Sequence, residues 1–289
     1  MLNILDTIQE WIMGILKDCI MGNLNGMFDQ INTEVGEVAA NVGTTPAAWN
    51  AGVFSMIRNL SDNVVVPVAG MVLTFVMCYE LISMIIDRNN LHDFETFAIY
   101  KWIIKTFVAV YLVSHTFDIT MAVFEVAQTV VQQSAGIITG STSVDFAAAL
   151  GDVSAQLDAM GIGELFGLLV ETMLLKITMP ILSLCVMLVL VGRMIEIYIY
   201  CSVGAIPFAT ITNREWGQMG QNYLRGLVAL GLQGFFIMIC VAIYAVLISQ
   251  IGSGANLHMA IWQCAGYTVL LCFSLFKTGA VSKAILNAH

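Results

Sequence analysis

Charge is what this chain has least of. Only 11% of its 289 residues are charged against 58% hydrophobic, and of its eleven Lys and Arg residues none lies between Asp118 and Glu164. A water-soluble globular surface carries roughly a quarter charged residues, so an ordinary soluble domain is excluded. The seven cysteines form no C-x-x-C pair and mostly sit in apolar runs, which argues against a zinc site or a disulfide framework. The histidines, His92, His115, His258 and His289, are dispersed, and there is no G-x-x-x-x-G-K-[ST], H-E-x-x-H or G-x-S-x-G. No enzyme class, cofactor or catalytic residue is indicated. The start, MLNILDTIQEWIMGILKDCI, has no basic leader and does not read as a cleaved signal peptide.

What remains is apolar sequence in long runs. Val64–Ile86 and about Phe97–Phe117 are each long enough to cross about 30 Å of hydrocarbon as a helix, as are Leu227–Ile251 and Leu257–Phe276. No ladder of short alternating segments suggests a barrel. The run from Leu165 to Thr212 is interrupted by Lys176, Pro180 and Gly192–Glu196; it is too long for one crossing and short for two. Pro67 falls in the first turn of its span, and Thr45 reads as the cap of a short helix opened by Pro46. In the first segment Leu5, Ile8, Ile12, Ile15, Leu16 and Cys19 share one helical side, with Asp6, Glu10 and Lys17 on the other. That amphipathic helix is too charged to span and suits docking onto a partner. Gly22–Gly43 and the stretch SAGIITGSTS read as loops, and a helix is expected around Asp145–Met160.

Basic residues set the orientation. Arg88, Lys101, Lys105, Arg214, Arg225, Lys277 and Lys283 place the first connection, the Arg214 loop and the C-terminus in the cytoplasm, and the base-free segment outside. The fold expected is all-α and polytopic, with about five crossings plus amphipathic helices, N-terminus outside and C-terminus cytoplasmic. Its parts are an extracytoplasmic amphipathic region (1–63), two spans (64–117), an acidic extracytoplasmic helical segment (118–164), and a core (165–289). The core holds a long broken helix, a cytoplasmic loop at 212–225 and two final spans. Six crossings, with Ile195–Ile211 as an extra span, would strand Lys277 and Lys283 outside.

Charges inside apolar runs are costly and mark function or pairing. Here they are Glu80, Lys101, Lys105, Glu171, Lys176, Arg193 and Glu196. One reading makes some of them a permeation path. The other pairs Arg193 with Glu196, three positions on, and puts Glu80, Lys101 and Lys105 at the interface. Lys176 has no opposite charge at helical spacing.

The stretch Val203–Arg225 carries a pattern. A small-residue helix runs into Gly204-Ala205-Ile206-Pro207-Phe208-Ala209, a polar loop with Arg214 follows, then Trp216, then Tyr223-Leu224-Arg225 opens another span. This resembles the TrbL family of conjugal-transfer membrane proteins, polytopic inner-membrane components of type IV secretion systems. The resemblance implies a multi-pass protein of the bacterial cell membrane, surrounded by membrane lipids and assembling as a homo-oligomer with other secretion subunits, including transfer ATPases. It also implies a scaffold or channel role, with DNA as a transported substrate, and structural or pore residues at Pro207, Arg214, Trp216 and Arg225. Where the family often has a denser basic cluster this chain has Arg214 and Arg225 alone, too few for a strong phosphate footprint. The alternative is a secondary transporter or small-solute permease with a midplane site near Glu171, Lys176 and Pro180.

Overall fold

The structure, a computed structural model, describes residues 2–86, 96–141, 153–250 and 256–288. Among them there is no strand. The helices are α1 (Leu2–Val42), α2 (Pro46–Trp49), α3 (Ala51–Leu60), α4 (Val66–Ile86), α5 (Thr96–Ser114), α6 (Thr116–Ser141), α7 (Ile162–Val203), α8 (Ala205–Thr210), α9 (Gly217–Ser249) and α10 (Leu257–Ile285). Five stretches are long and apolar enough to cross a membrane: Ala51–Ile86, Phe97–Ser114, Ile162–Val203, Gly217–Ser249 and Leu257–Ile285. The all-α polytopic fold expected from the sequence is the fold observed. The chain forms two compact units, one from Met1–Val42, Val131–Leu190 and Phe236–Thr278, the other from Gly43–Val130, Val191–Phe235 and Gly279–His289.

The interior of the first unit is written in sevens. In α1 the buried residues are Ile20, Leu24, Met27, Ile31, Val38 and Val42; in α7 they are Leu165, Leu168, Thr172, Leu175, Met179, Leu182, Val186 and Val189. Those of α10 run Leu257, Ile261, Cys264, Thr268, Leu271 and Leu275. The α7 and α10 sets step by alternating threes and fours, and that of α1 does so from Ile20 to Ile31 before steps of seven and four to Val38 and Val42; this spacing keeps one stripe of a helix against its neighbours in a coiled coil. Polar pairs join the same helices. Asn23 Nδ2 donates to Thr172 Oγ1 at 3.3 Å, Gln30 Nε2 donates to Ser183 Oγ at 3.2 Å, and Ser183 Oγ donates to Glu34. Since both partners advance together along the chain, α1 and α7 run in the same direction.

This corrects the loop expected at Gly22–Gly43. Gly22, Gly26 and Gly36 each cost about 1 kcal/mol in a helix relative to alanine, but α1 continues through them because the buried stripe gains more. Likewise α6 runs on through 134–141, where a loop was expected. Of the helix expected at Asp145–Met160, the part before residue 153 lies outside the described residues, and 153–158 are helical. Ile8, Ile12 and Ile15 of the amphipathic start are exposed.

In the second unit, Thr45 Oγ1 accepts from Ala48 N at 3.2 Å, as expected of a cap, and Asn50 Oδ1 caps α3 at Val53 N at 3.0 Å. Tyr198 Oη donates to the Pro46 carbonyl at 2.6 Å, tying α2 to the end of α7. A π-turn, Ser61–Val65, separates α3 from α4. Pro67 has no N–H for Asn63 and its ring crowds that carbonyl, and the wider turn relieves the crowding without ending the helix. The run from Leu165 is one helix as far as Val203, with Pro180 inside it, so Ile195–Ile211 forms no separate span. At 42 residues α7 is about 63 Å long, twice the hydrocarbon thickness.

The buried stripe of α1 gives a direct prediction. Ile31→Ala should cost about 2–4 kcal/mol, whereas exposed Glu37→Ala should stay within about 0.5 kcal/mol. Thermal unfolding of the detergent-solubilised protein measures both; equal effects would mean that α1 is not packed as described.

Candidate functional site

The sequence places its break at Pro207, and the structure shows how the break is made. Within a continuous helix residue 207 would donate its N–H to the Val203 carbonyl. Proline cannot, and its ring collides with that carbonyl, so α7 ends at Val203 and α8 begins two residues later. The short helix then turns into the protein: Ala205, Phe208, Ala209 and Thr210 are buried, against α4 and α5. Two glycines permit the close approach. A Cβ on Gly204 would lie 2.4 Å from Tyr223 Oη, and one on Gly220 would lie 2.7 Å from the Pro207 carbonyl oxygen. Tyr223 Oη donates to the Tyr200 carbonyl at 2.8 Å, closing α9 onto the end of α7.

Asn213 ends the turn. Its buried Oδ1 accepts from Glu215 N at 2.8 Å and Trp216 N at 3.0 Å, and its carbonyl accepts from Gly217 N at 3.0 Å. That is an N-cap, so the polar connection is shorter than 212–225 and the chain is helical from Gly217. Trp216 stacks on Phe75 and on Tyr79 of α4, each at 5.6 Å between ring centroids. Arg225 is exposed on α9.

Beside this turn lies a polar cleft of about 650 Å³, lined by Tyr79, Glu80, Lys101, Trp102, Lys105, Asn213, Arg214 and Glu215 among others. Lys105 and Glu80 are an ion pair across α4 and α5. Trp102 Nε1 donates to the Met77 carbonyl at 3.2 Å, fixing its indole in the wall. The cleft brings Arg214 to Glu80, Lys101 and Lys105, the three residues that one reading of the sequence sets together at the interface.

The remaining intramembrane charges are placed elsewhere. Arg193 and Glu196 do not pair with each other: Glu196 accepts from Lys283 Nζ at 2.5 Å, while buried Arg193 reaches the Leu230 carbonyl through Nε at 3.4 Å. Spacing allowed the local pair, but the acid is claimed by a lysine far along the chain. Glu171 pairs with His258 Nδ1 at 2.8 Å. Lys176 is exposed and has no ion-pair partner among the described residues. Five positions separate Glu171 from Lys176, so they point about 140° apart and do not converge. Pro180 removes the helical donor of the Lys176 carbonyl without breaking α7. Among the described residues no three His, Cys, Asp or Glu side chains group as metal ligands.

Five membrane-length helices and a proline turn buried in their packing define a multi-pass helical membrane protein. Residues 31–205, more than half of the chain, match the family described as TrbL/VirB6 plasmid conjugal transfer like protein, and the chain belongs to that family. The setting is therefore a bacterial membrane. The match covers Arg193, Glu196, Glu171 and Lys176 and ends at Ala205, before Pro207, Arg214, Trp216 and Arg225. No curated protein and no solved structure matches the chain.

Two predictions follow from the turn and the cleft. Gly220→Ala should destabilise by about 1–3 kcal/mol, because the obstacle is backbone and cannot step aside. Gly192→Ala, with open space around it, should be neutral or stabilising by up to about 1 kcal/mol. Thermal melts compare them. Lys105→Met should lower stability by about 1–3 kcal/mol, because Glu80 Oε2 is already buried without a partner and the substitution removes the one that Oε1 has, and adding Glu80→Gln should restore part of the loss. A double-mutant cycle reads the coupling.

Proposed function

We propose that this protein is a membrane scaffold or channel component of a conjugative type IV secretion machine. It assembles as a homo-oligomer with other transfer subunits, including the ATPases that supply energy, and supports passage of DNA across the cell membrane. The family match over residues 31–205 carries this reading. The polar groups fit a structural part: Glu80–Lys105, Glu171–His258 and Glu196–Lys283 each join two helices. Burial of Ala205, Phe208 and Ala209 in the chain's own core supports an anchoring role for the Pro207 limb.

In this reading Arg214, Arg225 and Lys283 face the cytoplasm, and the base-free segment faces outward. The solute-carrier alternative is weakened because Glu171 and Lys176 diverge around α7.

Removing the protein from a donor strain should reduce plasmid transfer to background, and supplying it in trans should restore it; undiminished transfer would overturn the role. Mass measurement in mild detergent should give an oligomer, and a monomer stabilised by a small solute would favour a carrier instead. In a cysteine-free background, Ser141→Cys and Gln218→Cys should label from opposite sides of the membrane. Labelling from one side would overturn the five-crossing orientation.

A further inference from the structure

The cleft at the Pro207 turn has features that packing alone does not require. It reaches the ends of three membrane-length stretches: Tyr79 and Glu80 lie about two turns before the end of Ala51–Ile86, Lys101 lies in the second turn of Phe97–Ser114 with Lys105 one turn deeper, and Arg214 precedes Gly217–Ser249. A cleft shared by such ends opens at the boundary between hydrocarbon and water. Aromatic side chains at that level, Tyr79, Trp102 and Trp216, are those that favour the headgroup layer.

The charges are unevenly spent. Lys105 is occupied by Glu80. Lys101 and Arg214 have no ion-pair partner among the described residues, although both line the cleft. Among the described lining residues three cations face two carboxylates, Glu80 and Glu215, an excess of one positive charge. A volume of about 650 Å³ is within the range of small-ligand sites, and an arginine fork beside a lysine is suited to phosphate oxygens. The ligand that supplies one negative phosphodiester at this depth, already concentrated in two dimensions, is the membrane itself.

We propose that the cleft binds the headgroup of an anionic phospholipid, with Lys101 and Arg214 holding the phosphodiester and Trp102 flanking it. The acyl chains then lie along the lipid-facing side of α5, where Ile104 and Phe107 are exposed. Basic pockets between membrane helices hold acidic headgroups in this manner. The proposal rests on the spans crossing a bilayer, not on the role in transfer, so it stands or falls separately from that role.

The test uses the full chain in mild detergent, titrated with phosphatidylglycerol, phosphatidylcholine or inorganic phosphate, with retained lipid read by native mass spectrometry and stability by Tm. Phosphatidylglycerol should be retained in preference to phosphatidylcholine and should raise Tm. The variant K101Q/R214Q should weaken retention about thirtyfold, and each single variant about fivefold. The charge-keeping K101R/R214K should retain most of it, and K277Q should behave as wild type. If the double variant does not fold, the single variants decide. Equal retention of the two lipids, or no loss in the Gln variants, overturns the site. A Tm rise with inorganic phosphate equal to that with phosphatidylglycerol assigns the site to a free anion and overturns the lipid.

Discussion

The hydrogen bond that Pro207 cannot give to Val203 decides how the chain passes from α7 to α9. A helix that kept that bond would carry Phe208, Ala209 and Thr210 straight on. Without it the chain turns, and those side chains enter the space between α4 and α5. Gly204 and Gly220 then become obligatory, since Tyr223 and the Pro207 carbonyl occupy the places their side chains would take. Asn213 restarts the next helix by supplying acceptors to its first free N–H groups, and so delivers Trp216 to the aromatic pair on α4. The cleft is a by-product of this sequence of constraints.

The intramembrane charges obey a second economy. Each of the acids Glu80, Glu171 and Glu196 meets a base from another helix. In hydrocarbon an isolated charge is costly, and a pair that is made only when two helices meet rewards the correct meeting. Arg193, more deeply buried than these acids, is the exception: it leans on the Leu230 carbonyl, a backbone dipole in place of a carboxylate.

Features with local causes were legible in the sequence. The five long apolar stretches, the Thr45 cap and the break next to Pro207 all follow from residues within a few positions of one another. What was missed depended on partners elsewhere. Gly22–Gly43 looks like a loop when glycines and polar residues are counted, yet its apolar residues Leu24, Ile31 and Val38 keep a seven-residue repeat that could have been found. Arg193 and Glu196 were paired on spacing alone, because nothing in the sequence points to Lys283. The cleft was invisible for the same reason: Glu80, Lys105 and Arg214 come from three separate segments and converge only after the proline turn.

A stripe of apolar residues repeating in sevens has a property its stability conceals. Knobs that fit one set of holes fit the next set almost as well, so α1 could slip along α7 by one heptad, about 10 Å, and still bury its side chains. Asn23, opposite Thr172, and Gln30, opposite Ser183, stand one heptad apart themselves, so such a slip would exchange one polar partner for another rather than forbid the move. The register is held instead by pairs that do not repeat in sevens, Lys17 with Asp158 and Glu34 with Ser183.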